Sequence, residues 1–286
     1  MVPGGAILLN MPPESANRGP DWELYAAHRA RFTDLVLAAA PSGTDSPPRL
    51  CVLGAGRCND LDLSRLAAVY GELHLVDIEP ALLASAVSRE DAALRSKLVP
   101  HAPVDLAVLS AKRAGKWQRR TPSAAELDAA ASATLHGLLA RLPGPFDVLV
   151  SACVLTQLGF ALTQTFRESH PLLGPLRVAT ARTHLQTLVE LTAPRGSALF
   201  VSDLASSSHY PLDTLPQDAK LDQVLVDVVD KRAFYHLAAP DLVRGLLEEV
   251  APERELGPIS PWLWTGPLAR TYLVYGFKIS GNSATA

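Results

Sequence analysis

The sequence predicts an α/β protein: a mostly parallel, doubly wound sheet of seven strands, with a C-terminal antiparallel hairpin and an N-terminal helical cap. Three observations predict it. Short apolar runs alternate with amphipathic stretches of helical period, the pattern of parallel strand–helix–strand units. The first run ends on glycines and the second on a carboxylate, as at a ligand crevice outside the carboxyl ends of parallel strands. The last two runs follow one another with no helix between them, so they pair antiparallel.

The bulk numbers agree with a folded enzyme-sized chain. It has 286 residues, 48% apolar and 19% charged, with a net charge of -3, which suits a packed core and gives no general affinity for nucleic acid or an anionic membrane. No apolar run reaches the roughly 18 residues of a membrane span. Met1 to Asn10 carries no Lys or Arg, unlike a secretory signal. Cys51, Cys58 and Cys153 are too few and too scattered for a disulfide framework or zinc site. A cytoplasmic protein is the expectation.

In chain order, residues 1–20 are rich in Pro and Gly and read as a loose arm. Asp21 is placed to cap a helix to about Ala40, with Trp22, Tyr25, Phe32, Leu35 and Val36 on one apolar face. Pro41–Pro48 is a linker loop. Arg49–Leu53 is a buried strand, Ser64–Tyr70 a short helix and Glu72–Val76 a second strand. Pro80 to about Leu94 is helical, and Lys97–Val99 begins a third strand. Residues 107–145 are an insertion. It starts as a basic loop with Lys112, Arg113, Lys116, Arg119 and Arg120 around Trp117. It continues as an Ala-rich helix opened by Ser123 and Glu126 at capping-box spacing.

Phe146–Val150 is the fourth strand, followed by helices at roughly 154–168 and 178–192, and Ala198–Ser202 is the fifth. A second insertion, 204–238, is partly helical. Pro240–Val250 is a helix, and the last strands lie near Pro261–Thr265 and Thr271–Ile279. Trp262 and Trp264 alternate with Leu263 and face one side. The chain therefore divides into an arm and cap helix, 1–48, and a crevice-bearing domain, 49–286.

The chemistry sits in Val52-Leu-Gly-Ala-Gly-Arg-Cys-Asn-Asp60. Two glycines after a buried strand let the backbone turn sharply and approach a ligand. The second strand then ends in Val76-Asp77-Ile78-Glu79, where a carboxylate can accept both ribose hydroxyls of an adenosine.

These residues resemble the class I S-adenosylmethionine-dependent methyltransferases, from about Arg49 to Ile279. The resemblance implies a Rossmann-like methyltransferase sheet, S-adenosylmethionine as cofactor, and a small-molecule or peptide acceptor; no metal is expected, because the eight histidines are scattered without ligand spacing. In that family a glycine loop cradles the methionine part of the cofactor, matched by Gly54, Ala55 and Gly56. An acid after the second strand binds ribose, matched by Asp77. A polar residue beside the adenine is matched by Asp105 in Pro103-Val-Asp-Leu106. Phe146-Asp147-Val-Leu-Val-Ser151-Ala-Cys153 matches the fourth strand and the catalytic rim, and Ala193-Pro-Arg-Gly196 the turn before the fifth. Ile78, Val104, Ser151 and Ala152 complete the expected cofactor contacts. Val52 departs from the family's acid and Cys58 from its third glycine; Asn59 and Asp60 supply the polar groups there.

A sulfonium methyl is already electrophilic, so the protein supplies alignment and, for an oxygen or nitrogen acceptor, a base. His209, on the polar loop after the fifth strand, is the expected base. Cys153, Gln157, Asp203 and Tyr210 at the rim, with Tyr25 of the cap, are the expected acceptor pocket; His170 reads as a helix-end residue. Ser151-Ala-Cys-Val154 stands where amino-methylating nucleic-acid enzymes carry an Asn-Pro-Pro-Tyr-like tetrapeptide, which disfavours adenine or glutamine N-methylation. A protein that keeps the crevice but acts as a scaffold without turnover is the alternative. A nicotinamide-dependent reductase is disfavoured, because Gly54-x-Gly56-x-x-Asn59 lacks the third glycine for close helix packing.

Overall fold

A computed structural model of the chain describes residues 20–43, 45–266 and 270–281; the arm expected over 1–20 lies outside them except for Pro20. The elements in chain order are α1 (Pro20–Leu24), α2 (Ala26–Ala38), β1 (Arg49–Leu53), α3 (Leu63–Ala67), β2 (Glu72–Val76), α4 (Pro80–Ser88), α5 (Ala92–Arg95), β3 (Leu98–His101), α6 (Ala111–Trp117), α7 (Ala124–Arg141) and β4 (Phe146–Ala152). Then follow α8 (Val154–Thr165), α9 (Leu173–Glu190), β5 (Thr192–Ser206), α10 (Leu221–Asp230), α11 (Pro240–Val250), β6 (Glu255–Leu256), β7 (Ser260–Thr265) and β8 (Thr271–Ser280).

The apolar runs form one sheet in the order β3-β2-β1-β4-β5-β8-β6, with β7 also on β8. β1 to β5 pair in parallel, and β8 runs antiparallel to β5. The order reverses between β1 and β4, which opens a crevice at their carboxyl ends. The sheet is the mostly parallel, doubly wound sheet with the terminal antiparallel hairpin expected. The count differs by one because two short pieces share one edge of β8. Leu256 lies opposite Ile279, while Ser260 to Thr265 lie opposite Gly276 to Thr271.

Burial alternates across the sheet. On β4, Leu149 packs into one core layer, with Leu185 of α9 and Leu247 of α11, while Val148 and Val150 pack into the other. That second layer contains Phe32 and Val36 of α2, both fully buried beside Leu50 and Val52. Tyr70 donates its hydroxyl proton to the Val36 carbonyl at 2.6 Å, and the Asp62 amide donates to Thr33 Oγ1 at 2.9 Å. The cap helix is therefore part of the core; emptying Phe32 alone would cost about 3–5 kcal/mol.

Several boundaries differ from the sequence reading. The helix expected from Asp21 to Ala40 is two pieces broken at Tyr25, and Asp21 lies inside α1. The helix after Pro80 stops at Ser88; Asp91 then caps α5 by accepting from the Leu94 amide. Lys112, Arg113 and Lys116 of the basic run lie on helix α6, because Ser110 caps it and Trp117 is buried against Leu127, Leu162 and Phe166, while Arg119 and Arg120 follow its end. The Ser123–Glu126 capping box is present. β5 is far longer than Ala198–Ser202: its outer end stays paired with β8 as far as Ser206. Among the described residues, no helix is long and apolar enough to cross a membrane.

Candidate functional site

β1 ends at Leu53, and the chain turns at Gly54 and Gly56 with φ of +77° and +51°. A Cβ on Gly54 would stand 1.9 Å from Val154 Cγ2, so the first turn of α8 closes over a bare backbone. The Gly54 and Ala55 amides both donate to the Val76 carbonyl, at 2.9 and 3.0 Å, pinning the loop to the end of β2. Asp77 follows directly. Its Oδ2 accepts from the Gly56 amide at 2.7 Å and its Oδ1 from the Glu79 amide at 2.9 Å. Each carboxylate oxygen keeps a further lone pair for a ligand. Ile78 beside it is a large apolar side chain left 52% exposed. Val104 is buried beneath, its amide on the Asp77 carbonyl, and Asp105 is exposed, accepting from the Ala107 amide. Val104 and Asp105 line an open pocket with Arg113 and Thr134.

Cys58 takes φ +53°, so the left-handed turn persists where the resemblance has glycine. Cys58→Gly is expected to be more stable than Cys58→Ala by about 1 kcal/mol, since both remove the thiol and only alanine keeps a Cβ in that region. Chemical denaturation checks this; the reverse order would mean the turn relaxes.

The far side of the loop meets α2. The Trp262 indole N–H donates to His28 Nδ1 at 3.0 Å, which leaves the proton of neutral His28 on Nε2. That nitrogen faces Asp60 Oδ1 at 3.7 Å, too long for a hydrogen bond. Neither atom has another partner among the described residues, and both are buried. Burial, with Arg29 adjacent, lowers His28 to about 3, and burial raises Asp60 to about 6. Sequence reasoning missed His28: a histidine on the buried face of a helix gives no local signal of the loop it will meet.

Asp203 stands across the crevice. It faces the same side of β5 as Leu199 and Val201, which belong to the α2 layer. Thr156, in the first turn of α8, donates its hydroxyl proton to Asp203 Oδ1 at 2.5 Å. Burial raises its carboxyl to about 7 against that bond, with Asp60 adding to the rise. Such a group costs stability as pH climbs from its ordinary value toward 7, because the folded chain keeps a proton that the unfolded chain releases. Asp203→Asn removes that cost. The stability gap should therefore shift in the variant's favour between about pH 4 and pH 8. A pH-independent gap in thermal melts would mean the carboxyl is not desolvated.

The structure gathers some expected residues and turns others away. Tyr25 is buried edge-on to Trp264, with ring centroids 5.2 Å apart. Cys153 caps α8 at φ +51°, its thiol buried and held protonated by that burial. Gln157 is exposed and donates to the Cys153 carbonyl at 3.2 Å. Ala152 ends β4 at the rim. The side chain of Ser151, however, points into the opposite layer and meets His184 Nε2 at 2.7 Å, fully buried, so only its backbone borders the crevice. Tyr210 likewise leaves the pocket: its hydroxyl donates to Asp227 of α10. His209 is exposed past the end of β5, its Nδ1 at 3.1 Å from Ser206 Oγ and 3.3 Å from Ser208 Oγ. Burial against its surroundings lowers it, and Arg270 adds to that. No group of three or more potential metal ligands occurs among the described residues.

No protein-family model matches the chain, and no curated protein matches it. Among solved structures the chain is similar to the YcgJ protein of Bacillus subtilis, at 10% identity over 90% of this chain and 100% of that one, with a TM-score of 0.49. It is similar to the N-methyltransferase NodS of Bradyrhizobium japonicum, solved with S-adenosyl-L-homocysteine, at 14% identity over 92% and 93% of the two chains, TM-score 0.47. It is also similar to an S-adenosylmethionine-dependent methyltransferase of Methanosarcina mazei, at 11% identity over 84% and 94%, TM-score 0.47.

Proposed function

We propose that the chain is an S-adenosylmethionine-dependent methyltransferase whose cofactor lies across the carboxyl ends of β1 and β2. One observation carries the reading: the bare glycine turn abuts Asp77 at the point where the strand order reverses, next to a buried donor and acceptor that have no partners among the described residues. The fit is chemical. Gly54, Ala55 and Gly56 leave room for the methionine chain. The Nε2–H of His28 suits its carboxylate, and Asp60 Oδ1 suits its ammonium. The spare lone pairs of Asp77 suit the ribose hydroxyls, and Ile78, Val104 and Asp105 would flank the adenine. When bound, the cofactor supplies a methyl carbon on positively charged sulfur, already electrophilic.

The chain's own residues then orient an acceptor and manage a proton. Asp203, with its carboxyl near 7, is poised to take a proton at neutral pH, and Thr156 fixes its direction. Asp203 therefore has a stronger claim than the exposed His209. Cys153 is no nucleophile, because its thiol is buried and protonated. The acceptor is a small molecule or peptide side chain. Native mass spectrometry of the full chain with S-adenosylmethionine, S-adenosylhomocysteine and NAD tests the reading. One bound equivalent of either adenosyl compound and none of NAD is expected; binding NAD alone would overturn it.

A further inference from the structure

The wall opposite the glycine turn has a composition of its own. On one face of the β5–β8–β7 ladder, Asp203 lies opposite Val274, which lies opposite Trp262. The next row outward carries Tyr272 and Trp264, with ring centroids 5.2 Å apart. Tyr235 closes the same space: its amide donates to the Leu204 carbonyl at 2.8 Å and its hydroxyl to Ser206 Oγ at 2.9 Å. Burial holds both phenols above the usual range, and the Asp203 charge adds a smaller rise to each. The Trp264 indole N–H is buried, with no acceptor among the described residues, though the residue itself is 8% exposed. A half-buried carboxylate thus shares one sheet face with aromatic rings, and a donor without an acceptor among the described residues lies on the next row of that face. Arg270 is exposed and its charge reaches the two tyrosines from outside.

We propose that this wall selects an amine as the methyl acceptor, held as its ammonium against Asp203 and the faces of Tyr235 and Tyr272. The inference rests on the methyltransferase reading for its purpose, although the amine site itself does not need the cofactor. The reasoning is electrostatic. A carboxylate taken out of water is costly unless a positive partner meets it, and aromatic faces attract the same cation. A hydroxyl acceptor would leave that charge uncompensated. The ammonium in turn favours ionised Asp203. From that ion pair one proton passes from nitrogen to an Asp203 oxygen. The nitrogen keeps the electron pair of the broken N–H bond, becoming a neutral amine with a free lone pair. Trp264 remains to donate to an oxygen elsewhere on the same molecule.

The test compares 2-phenylethylamine with its uncharged counterpart 2-phenylethanol. Ligand-observed NMR titrations use the full chain, with and without saturating S-adenosylhomocysteine. The amine is expected to bind about 10- to 100-fold more tightly, the scale of one charge-assisted hydrogen bond. In Asp203→Asn, which keeps the Thr156 bond and the side-chain volume, the preference should vanish while S-adenosylhomocysteine affinity stays at the parent's level. Equal binding of amine and alcohol, no binding of either, or a preference that survives in Asp203→Asn would overturn the amine site. Failure of S-adenosylhomocysteine to bind while the amine preference persists would instead overturn the cofactor reading and leave the amine site standing.

Discussion

Gly54→Ala is expected to abolish ligand binding and to destabilise the fold by about 2–5 kcal/mol, the sum of overpacking and left-handed strain. The new Cβ would stand 1.9 Å from Val154 Cγ2 and 3.3 Å from the Ala152 carbonyl oxygen, at φ +77°. Neither side yields easily, because Val154 opens α8 and Gly54 is bonded to the Val76 carbonyl. The double variant with Val154→Ala separates the two causes: it removes the severe clash and keeps the strained φ, so part of the stability should return. Denaturant titration of both variants reads this directly. If Gly54→Ala alone matched the parent, the close approach of loop and helix would be wrong.

Asp203→Asn is expected to lower methyl transfer by about 10²–10⁴-fold, the usual worth of a general base, with cofactor affinity unchanged. His209→Ala is expected to leave turnover near the parent's level. The contrast follows from position. β5 stays paired to Ser206, so the polar loop begins four residues later than expected from a strand ending at Ser202. His209 is thereby carried to the outer side of Tyr235, its ring edge-on to that residue with centroids 4.5 Å apart and its Nδ1 on Ser206 and Ser208. Asp203 is left on the face above the end of β4, with the Cys153 amide bonded to the Val201 carbonyl beside it. Turnover at an amine acceptor, measured for both variants, decides between them. A collapse in His209→Ala with full activity in Asp203→Asn would restore the histidine as the base.

Much of the fold is legible in the sequence because parallel strands are buried on both faces. Arg49–Leu53 and Glu72–Val76 are short, mostly apolar runs bounded by turn residues, and the structure reproduces their limits. The capping box at Ser123 and Glu126 was equally readable, since it is local chemistry. What escaped was long-range. The outer reach of β5 depends on β8, about seventy residues downstream, and no local pattern encodes that pairing. The basic run looked like a loop because its charges are exposed, yet one buried residue, Trp117, holds it as a helix.

The site divides the same way. Gly54, Gly56 and Asp77 are neighbours through adjacent strands, so order along the chain implies their meeting. His28 meets Asp60 only because α2 folds back over the sheet onto Trp262. Ser151 was misjudged by strand parity: beside Ala152 and Val150 on the crevice side, its own side chain faces α9. Cys58 shows that a glycine's backbone conformation can outlast the glycine.

Calorimetric titration of S-adenosylmethionine into the parent chain and Asp77→Ala, side by side, tests the central claim most directly. The parent should bind one equivalent. The variant loses the carboxylate that braces Gly56 and that the proposed reading assigns to the ribose hydroxyls, and should bind about 10- to 100-fold more weakly, the scale of charge-assisted hydrogen bonds. Equal affinity in a folded Asp77→Ala chain, or no binding by the parent, would contradict the account.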